Sequence, residues 1–223
     1  YRDGDAGIRA TLDDYAFLIW GLLELYETTF EPQWLRAALD HMDACLDHFW
    51  DEEGGGFYMT PDDGEDLIVR PKEASDGAMP SGNSVQLMNL LRLARFTDRT
   101  EFEDKAAALS RWVGASARSR PTGFTALLTG LHWALGTPRE VVVAGERPAD
   151  DTRALLHVLR DTYSPTTVTL HRPPGNDPEI AELAPFTATQ TPHDGRAAAY
   201  VCRDFRCEAP TADPERLRAQ LEE

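Results

Sequence analysis

Carboxylates, amides and a scarce cation gather in two stretches of the 223-residue chain. Asp13, Asp14 and Tyr15 open one apolar segment, Ser81 and Asn83 open another, and Glu73 and Asp76 lie in the approach to the second. Glycoside hydrolysis requires two carboxyl groups roughly 5–10 Å apart. Asp14, Glu73 and Asp76 are the candidate catalytic acids for it. An epimerase or isomerase requires instead a base beside a carbonyl, usually His, and none of the six histidines falls at such a segment start. Asp13, Tyr15, Arg70, Lys72, Ser81 and Asn83 are candidate substrate-binding residues, because the free N–H groups of a helix start, with Asp, Ser or Asn beside them, can bind hydroxyls. The same residues fit plain helix capping, and both readings stay open.

Lys72 stands out because, of 22 basic residues, only it and Lys105 are lysines and the other 20 are arginines. It could contact a substrate carboxylate or hydroxyl, or pair with a neighbouring acid. Phe57, Tyr58 and Trp20 could stack on a sugar ring or belong to the core. Cys202 and Cys207 are a candidate redox pair, although their spacing is neither Cys-x-x-Cys nor a zinc signature, and isolated thiols are the competing reading. His41 and His48, seven apart on an amphipathic segment, read as surface residues. No metal and no cofactor is expected, and Val143-Ala144-Gly145 lacks the glycines and lysine of a nucleotide-binding turn.

The elements that must position these residues are helices. Leu12 to Thr29 is apolar on nearly every side and is expected as an inner helix buried all round. Pro32 to Trp50 repeats Leu35, Leu39, Met42, Leu46 and Phe49 at helical spacing and is expected as an outer helix. A shift of 68 positions sets Leu22, Leu23, Leu25, Thr29, Trp34 and Ala38 against Leu90, Leu91, Leu93, Thr97, Phe102 and Ala106, which is an internal repeat. Its second copy predicts an inner helix from about Gly82 to Phe96 and an outer one carrying Phe102, Ala106, Leu109 and Val113. A further inner helix is expected over Gly123 to Leu135.

Alternating inner and outer helices suit an α/α toroid. The chain is therefore expected to be mainly α: a partial toroid over 1–136, with a β-hairpin inserted between Gly54 and Val69, then a small α/β subdomain over 137–223. In the latter, Val141–Ala144, Thr167–Leu170 and Ala198–Cys202 read as strands, Asp151–Asp161 as a helix, and Asp213-Pro214 as the start of a last helix.

The balance of 22 basic against 38 acidic residues gives a net charge of −16. That disfavours nucleic acid and anionic membranes, which would repel the chain. Acidity with few lysines suits either a salty cytosol or a high-GC codon bias. Three sparse cysteines point to a reducing, cytoplasmic setting. The start, Tyr1-Arg2-Asp3-Gly4-Asp5, is neither an initiator methionine nor a signal peptide, so the chain is expected to be the C-terminal portion of a longer protein.

Several stretches carry a resemblance: Leu12-Asp13-Asp14-Tyr15-Ala16, Phe49-Trp50-Asp51-Glu52-Glu53-Gly54-Gly55-Gly56-Phe57, Arg70-Pro71-Lys72-Glu73, Asp76-Gly77, Pro80-Ser81-Gly82-Asn83-Ser84, Ala184-Pro185-Phe186 and Tyr200-Val201-Cys202. On these the chain resembles the YyaL-type family, also known through the spermatogenesis-associated thioredoxin-like proteins. The resemblance implies an N-terminal thioredoxin-like domain followed by a toroid similar to six-hairpin glycosidases and sugar epimerases. The thioredoxin-like domain and roughly the first half of the toroid would then lie upstream. A small-molecule sugar is the expected partner, and self-association through an apolar open flank is the expected hazard. The alternative is an interaction scaffold that presents the thioredoxin-like domain.

Overall fold

The computed structural model describes residues 7–65, 67–175 and 178–222. The opening pentapeptide read above as a cut start lies outside these residues. Five main helices come first: α1 (Leu12–Thr29), α2 (Pro32–His48), α3 (Gly82–Thr97), α4 (Thr100–Ser119) and α5 (Thr125–Leu135). After them come β1 (Arg139–Ala144), α6 (Asp150–Asp161), β2 (Thr167–Arg172), α7 (Pro178–Leu183), β3 (Ala198–Arg203), β4 (Arg206–Cys207) and α8 (Pro214–Glu222). The protein is mainly α with a small α/β part. No helix among the described residues is long and apolar enough to cross a membrane.

The chain divides into two compact units. The first takes the residues up to Leu25, Gln33–Leu91 and Thr100–His132, and the second takes Tyr26–Pro32, Arg92–Arg99 and everything from Trp133 onward.

In the first unit α3 is the most enclosed helix, with Val85, Leu87, Leu90 and Leu91 buried alongside the polar Asn83, Gln86 and Asn89. Their amide nitrogens have partners: Asn89 Nδ2 donates to the Ala16 carbonyl of α1 at 2.9 Å, and Gln86 Nε2 points to Cys45 Sγ of α2 at 3.3 Å. A Cβ on Gly130 of α5 would stand 2.9 Å from Leu87, so the glycine lets α5 approach α3 closely. The outer helices are amphipathic as expected; α4 buries Phe102, Ala106, Leu109, Val113 and Ala117. α1 differs from expectation, since Leu18, Trp20 and Leu25 are 47%, 41% and 43% exposed. Leu18 and Leu25, seven apart and so on one face, lie at the surface among the described residues, and Trp20 lies round the helix from them with its indole N–H on Glu24.

The 68-residue repeat governs the backbone as well as the sequence. α1 and α3 end at Thr29 and Thr97, and α2 and α4 begin at Pro32 and Thr100. The residue between, Phe30 in one turn and Asp98 in the other, is left-handed with φ of 53° and 60°. Each donates its N–H four residues back, Phe30 to Tyr26 and Asp98 to Ala94. The threonine hydroxyls accept from Glu31 and Arg99 in the same way. Only glycine adopts this conformation without steric cost. Asp98 is exposed, so Asp98→Gly should stabilise the chain by about 0.5–1 kcal/mol, seen as a higher urea midpoint.

The second unit is built on a four-stranded sheet of order β2-β1-β3-β4, with β1–β2 parallel and the other pairs antiparallel. Strand β1 is buried from Glu140 to Ala144, as a central strand of a βαβ unit should be. Val141, Val143, Leu155, Val201, Leu217 and Phe30 share one core cluster. Asp213 caps α8, accepting from Glu215 N at 3.0 Å.

The β-hairpin expected between Gly54 and Val69 does not form. Its described residues hold a single bridge, Trp50 to Phe57, and Ile68 and Val69 are exposed. Backbone groups of this stretch turn elsewhere: Met59 N–H goes to Pro71 and its carbonyl takes the N–H of Leu12. The local strand signal loses to these longer-range bonds.

Candidate functional site

The candidate residues of the first unit meet where the 49–81 connection reaches the starts of α1, α3 and α5. Asp14 reaches back to Thr11, one carboxylate oxygen accepting its N–H at 2.8 Å and its hydroxyl at 2.9 Å, which is the carboxylate half of a capping box. Asp13 reaches across instead, its Oδ1 taking the Gly82 N–H of α3 at 2.9 Å. A Cβ at Gly82 would lie 2.5 Å from that oxygen, so Gly82 makes the approach possible. Asp76 joins two helix starts: Oδ1 accepts from Ser81 N at 3.0 Å and Oδ2 from Ala126 N at 2.8 Å. Ser81 caps α3 through Ser84 N at 3.2 Å.

Asn83 is fully buried and clamps the connection. Its Oδ1 accepts from Phe57 N at 2.8 Å, while Nδ2 donates to Phe57 O at 2.9 Å and Glu73 O at 2.8 Å. Arg70 donates to Thr60 O and His48 O and lies 4.3 Å over the Tyr58 ring. Tyr15 packs edge-on against Phe49 and His41 at 5.4 and 5.7 Å. Of the candidate stacking residues, Phe57 is core, Tyr58 faces Arg70, and Trp20 is partly exposed. Glu73 gives its carbonyl to Asn83, and its side chain is exposed.

Lys72 pairs with Asp51 and donates to Gly55 O at 2.8 Å, with its Nζ 4.6 Å from the Trp112 ring centroid. Asp51 is thus held by Lys72 and by the N–H groups of Glu53 and Gly54. The Lys72 ammonium and these amides lower the Asp51 carboxyl to about 2 from its ordinary 3.8. Both partners are only 15% exposed. A lowered pKa gives stability that is present above the unfolded value and lost as pH falls through 3.8 towards 2. We expect the pair to contribute at most about 2 kcal/mol, lost over that interval, and Asp51→Asn to flatten this part of an acid-unfolding curve.

Three residues that sequence reasoning missed complete a cleft beside this network. Trp112, Ser116 and Arg120 of α4 and its C-terminal end line it together with Lys72, Glu73 and Ser75, around a volume of about 270 Å3. The available signal was the Gly54-Gly55-Gly56 run: Gly56 has φ 79°, and a Cβ there would stand 2.5 Å from the Trp112 ring. Glycine is what lets the indole lie against this loop.

His48, Asp62 and Asp63 place ligand atoms within 4.8 Å of one another, all exposed. Their charges already answer one another, since His48 Nδ1 meets Asp62 at 3.0 Å and Arg9 meets Asp63 at 2.9 Å. The Asp62 carboxylate, accepting from the His48 ring, raises the His48 pKa.

In the second unit Cys202 and Cys207 are joined in a disulfide, which corrects the reading as isolated thiols. The reason is β4, a two-residue strand that sequence did not predict; it pairs with β3 so that Cys202 stands opposite Cys207. Cys45 remains a buried thiol, and burial pushes its pKa up to about 12.

Paired helices ending in mutually capped starts, followed by a small α/β unit, define a mainly α helical-hairpin protein. No protein-family model matches the chain. It is 36% identical over 211 residues to spermatogenesis-associated protein 20 of Homo sapiens and 35% identical to that of Mus musculus, each match covering 94% of this chain. An uncharacterized protein of Caenorhabditis elegans is 29% identical over 212 residues. The chain belongs to the family of spermatogenesis-associated protein 20, and it spans about a quarter, 27%, of the length of those mammalian relatives.

Proposed function

We propose that this chain forms part of a carbohydrate-binding helical toroid and that a sugar meets it in the Glu73–Trp112 cleft. The observation that carries this reading is the set of groups around that cleft: an indole, an exposed carboxylate, a hydroxyl and a guanidinium about a volume suited to a small ligand. Asp13, Asp14 and Asp76 serve as helix-start acceptors and hold the walls. Glu73 is then the acid of the set best placed for proton transfer, and a hydrolase or isomerase reaction of the longer protein would combine it with groups outside these residues.

The experiment is calorimetry of the intact parent protein against a panel of mono- and disaccharides. Binding should appear, and Glu73→Gln should weaken it at least tenfold. If no sugar binds, the reading is lost.

A second reading, an interaction scaffold attached to a thioredoxin-like domain, is favoured by Leu18 and Leu25, two exposed leucines on one face of α1. Under it, Leu18→Glu would abolish association with the rest of the parent chain supplied in trans and leave any sugar affinity unchanged.

A further inference from the structure

We propose that Cys202 and Cys207 form a reversible thiol–disulfide exchange site whose reaction partner is a dithiol, rather than a permanent staple of the fold. The two sulfurs differ in access: Cys202 is fully buried, whereas Cys207 is exposed. A third side chain is built against them. Gln190, only 4% exposed, turns its Nε2 to the Cys207 sulfur at 3.2 Å and to the Cys202 sulfur at 3.7 Å. Its Oε1 is buried and has no hydrogen-bond donor.

A disulfide can only accept hydrogen bonds, and weakly, so in the oxidised form this amide oxygen is stranded at a real cost in free energy. Two thiols supply S–H donors. Turning the amide lets its oxygen take one of them while its N–H groups face the other sulfur. The site thereby favours the reduced form more than a bare cystine would. The loop closed by the bridge is also short, with a sequence separation of 5, so the entropic stabilisation from closing it is small. Between the cysteines, Asp204 and Phe205 both hold positive φ, 49° and 58°. Neither is a glycine, and the bridge helps to hold this tight turn.

The exchange balances as follows. A thiolate of the dithiol attacks the accessible Cys207 sulfur, and the bond to Cys202 breaks. Cys202 leaves as a thiolate, receives the Gln190 N–H and takes up a proton. The second thiol of the reductant attacks the mixed disulfide, releasing Cys207 as a thiol and closing the reductant into its own disulfide. Two electrons and two protons pass from the dithiol to the protein.

The test equilibrates the full chain in graded mixtures of reduced and oxidised dithiothreitol without denaturant, then quenches and counts alkylated thiols by mass. We expect a single two-electron transition with unchanged far-ultraviolet circular dichroism, and we expect Gln190→Leu to require a reduced-to-oxidised ratio at least threefold higher. Because that variant could lose its fold, single cysteine variants provide a second readout. In Cys202→Ser, glutathione disulfide should modify Cys207 readily. In Cys207→Ser it should modify Cys202 at least tenfold more slowly, with Cys45 inert in both. Three thiols at every ratio, a bridge that opens only in denaturant, an unshifted Gln190→Leu, or equal modification of the two cysteines would each overturn the proposal.

Discussion

Asn83→Ala should lower the unfolding free energy by about 3–5 kcal/mol, enough to unfold a marginal chain. The side chain is fully buried and serves three backbone groups: the N–H and C=O of Phe57 and the C=O of Glu73. Phe57 is itself fully buried, so water does not replace what alanine removes. Each stranded group costs about 1–3 kcal/mol. Glu73 lies at the surface, where its carbonyl regains solvent, and that holds the total near the lower half of the sum. Asn83→Asp keeps an acceptor for Phe57 N–H but turns a carboxylate on two carbonyls, so it should be destabilising as well. Urea denaturation reads both variants, and a midpoint unchanged in Asn83→Ala would mean that the clamp does not hold the connection.

Asp76→Ala is the second large effect, a loss of about 2–4 kcal/mol. One carboxylate takes an N–H from the start of α3 and another from the start of α5, and an N-cap is typically worth about 1–2 kcal/mol. The Asp76 N–H also donates to Gly123 O at 2.7 Å, which keeps the loop against α5 in either variant. Asp76→Asn retains one oxygen acceptor and should cost about half as much as alanine. The controlling measurement is a double-mutant cycle with Ser81→Ala, because Ser81 both caps α3 and donates its own N–H to Asp76. Strict additivity would mean that the two caps act independently, against the shared helix start described above.

The helices were legible because each carries a periodic signal with clear ends. α1 runs over the residues its apolar content marks, and the buried side of α4 is the stripe that spacing picks out. The repeat was legible too, although sequence alone did not show that it would fix a left-handed residue at Phe30 and Asp98. What stayed hidden depends on partners far apart in the chain. Leu67-Ile68-Val69 looks like a strand by composition, yet the groups that answer this connection's backbone come from Leu12 and Pro71. β4 holds only Arg206 and Cys207, too short for any alternation to register. α7, at Pro178–Leu183, is similarly brief.

The candidate site shows the same division. Residue type identified Asp13, Ser81 and Asn83 as helix-end groups, but not which helix each would serve, and it read Asp76 as a catalytic acid of the approach loop rather than as an acceptor for two helix starts. Asp13 lies on α1 and answers Gly82, 69 positions away. Trp112 escaped notice because an aromatic on an amphipathic helix reads as packing, and its role depends on Gly56.

The two left-handed turns share a geometry and have diverged in what they carry. Phe30 is buried in the core cluster that includes Val141 and Leu155, whereas Asp98 faces solvent. The older symmetry of the hairpins therefore ends in unequal tolerance to insertion. A tag or fluorescent reporter spliced after Asp98 disturbs the Arg99 N–H bond to Thr97 but leaves an exposed side chain at the joint, while the same splice after Phe30 pulls an aromatic out of the sheet's core. The second copy of the turn is where the chain can be opened and lengthened, and the first is where it is anchored.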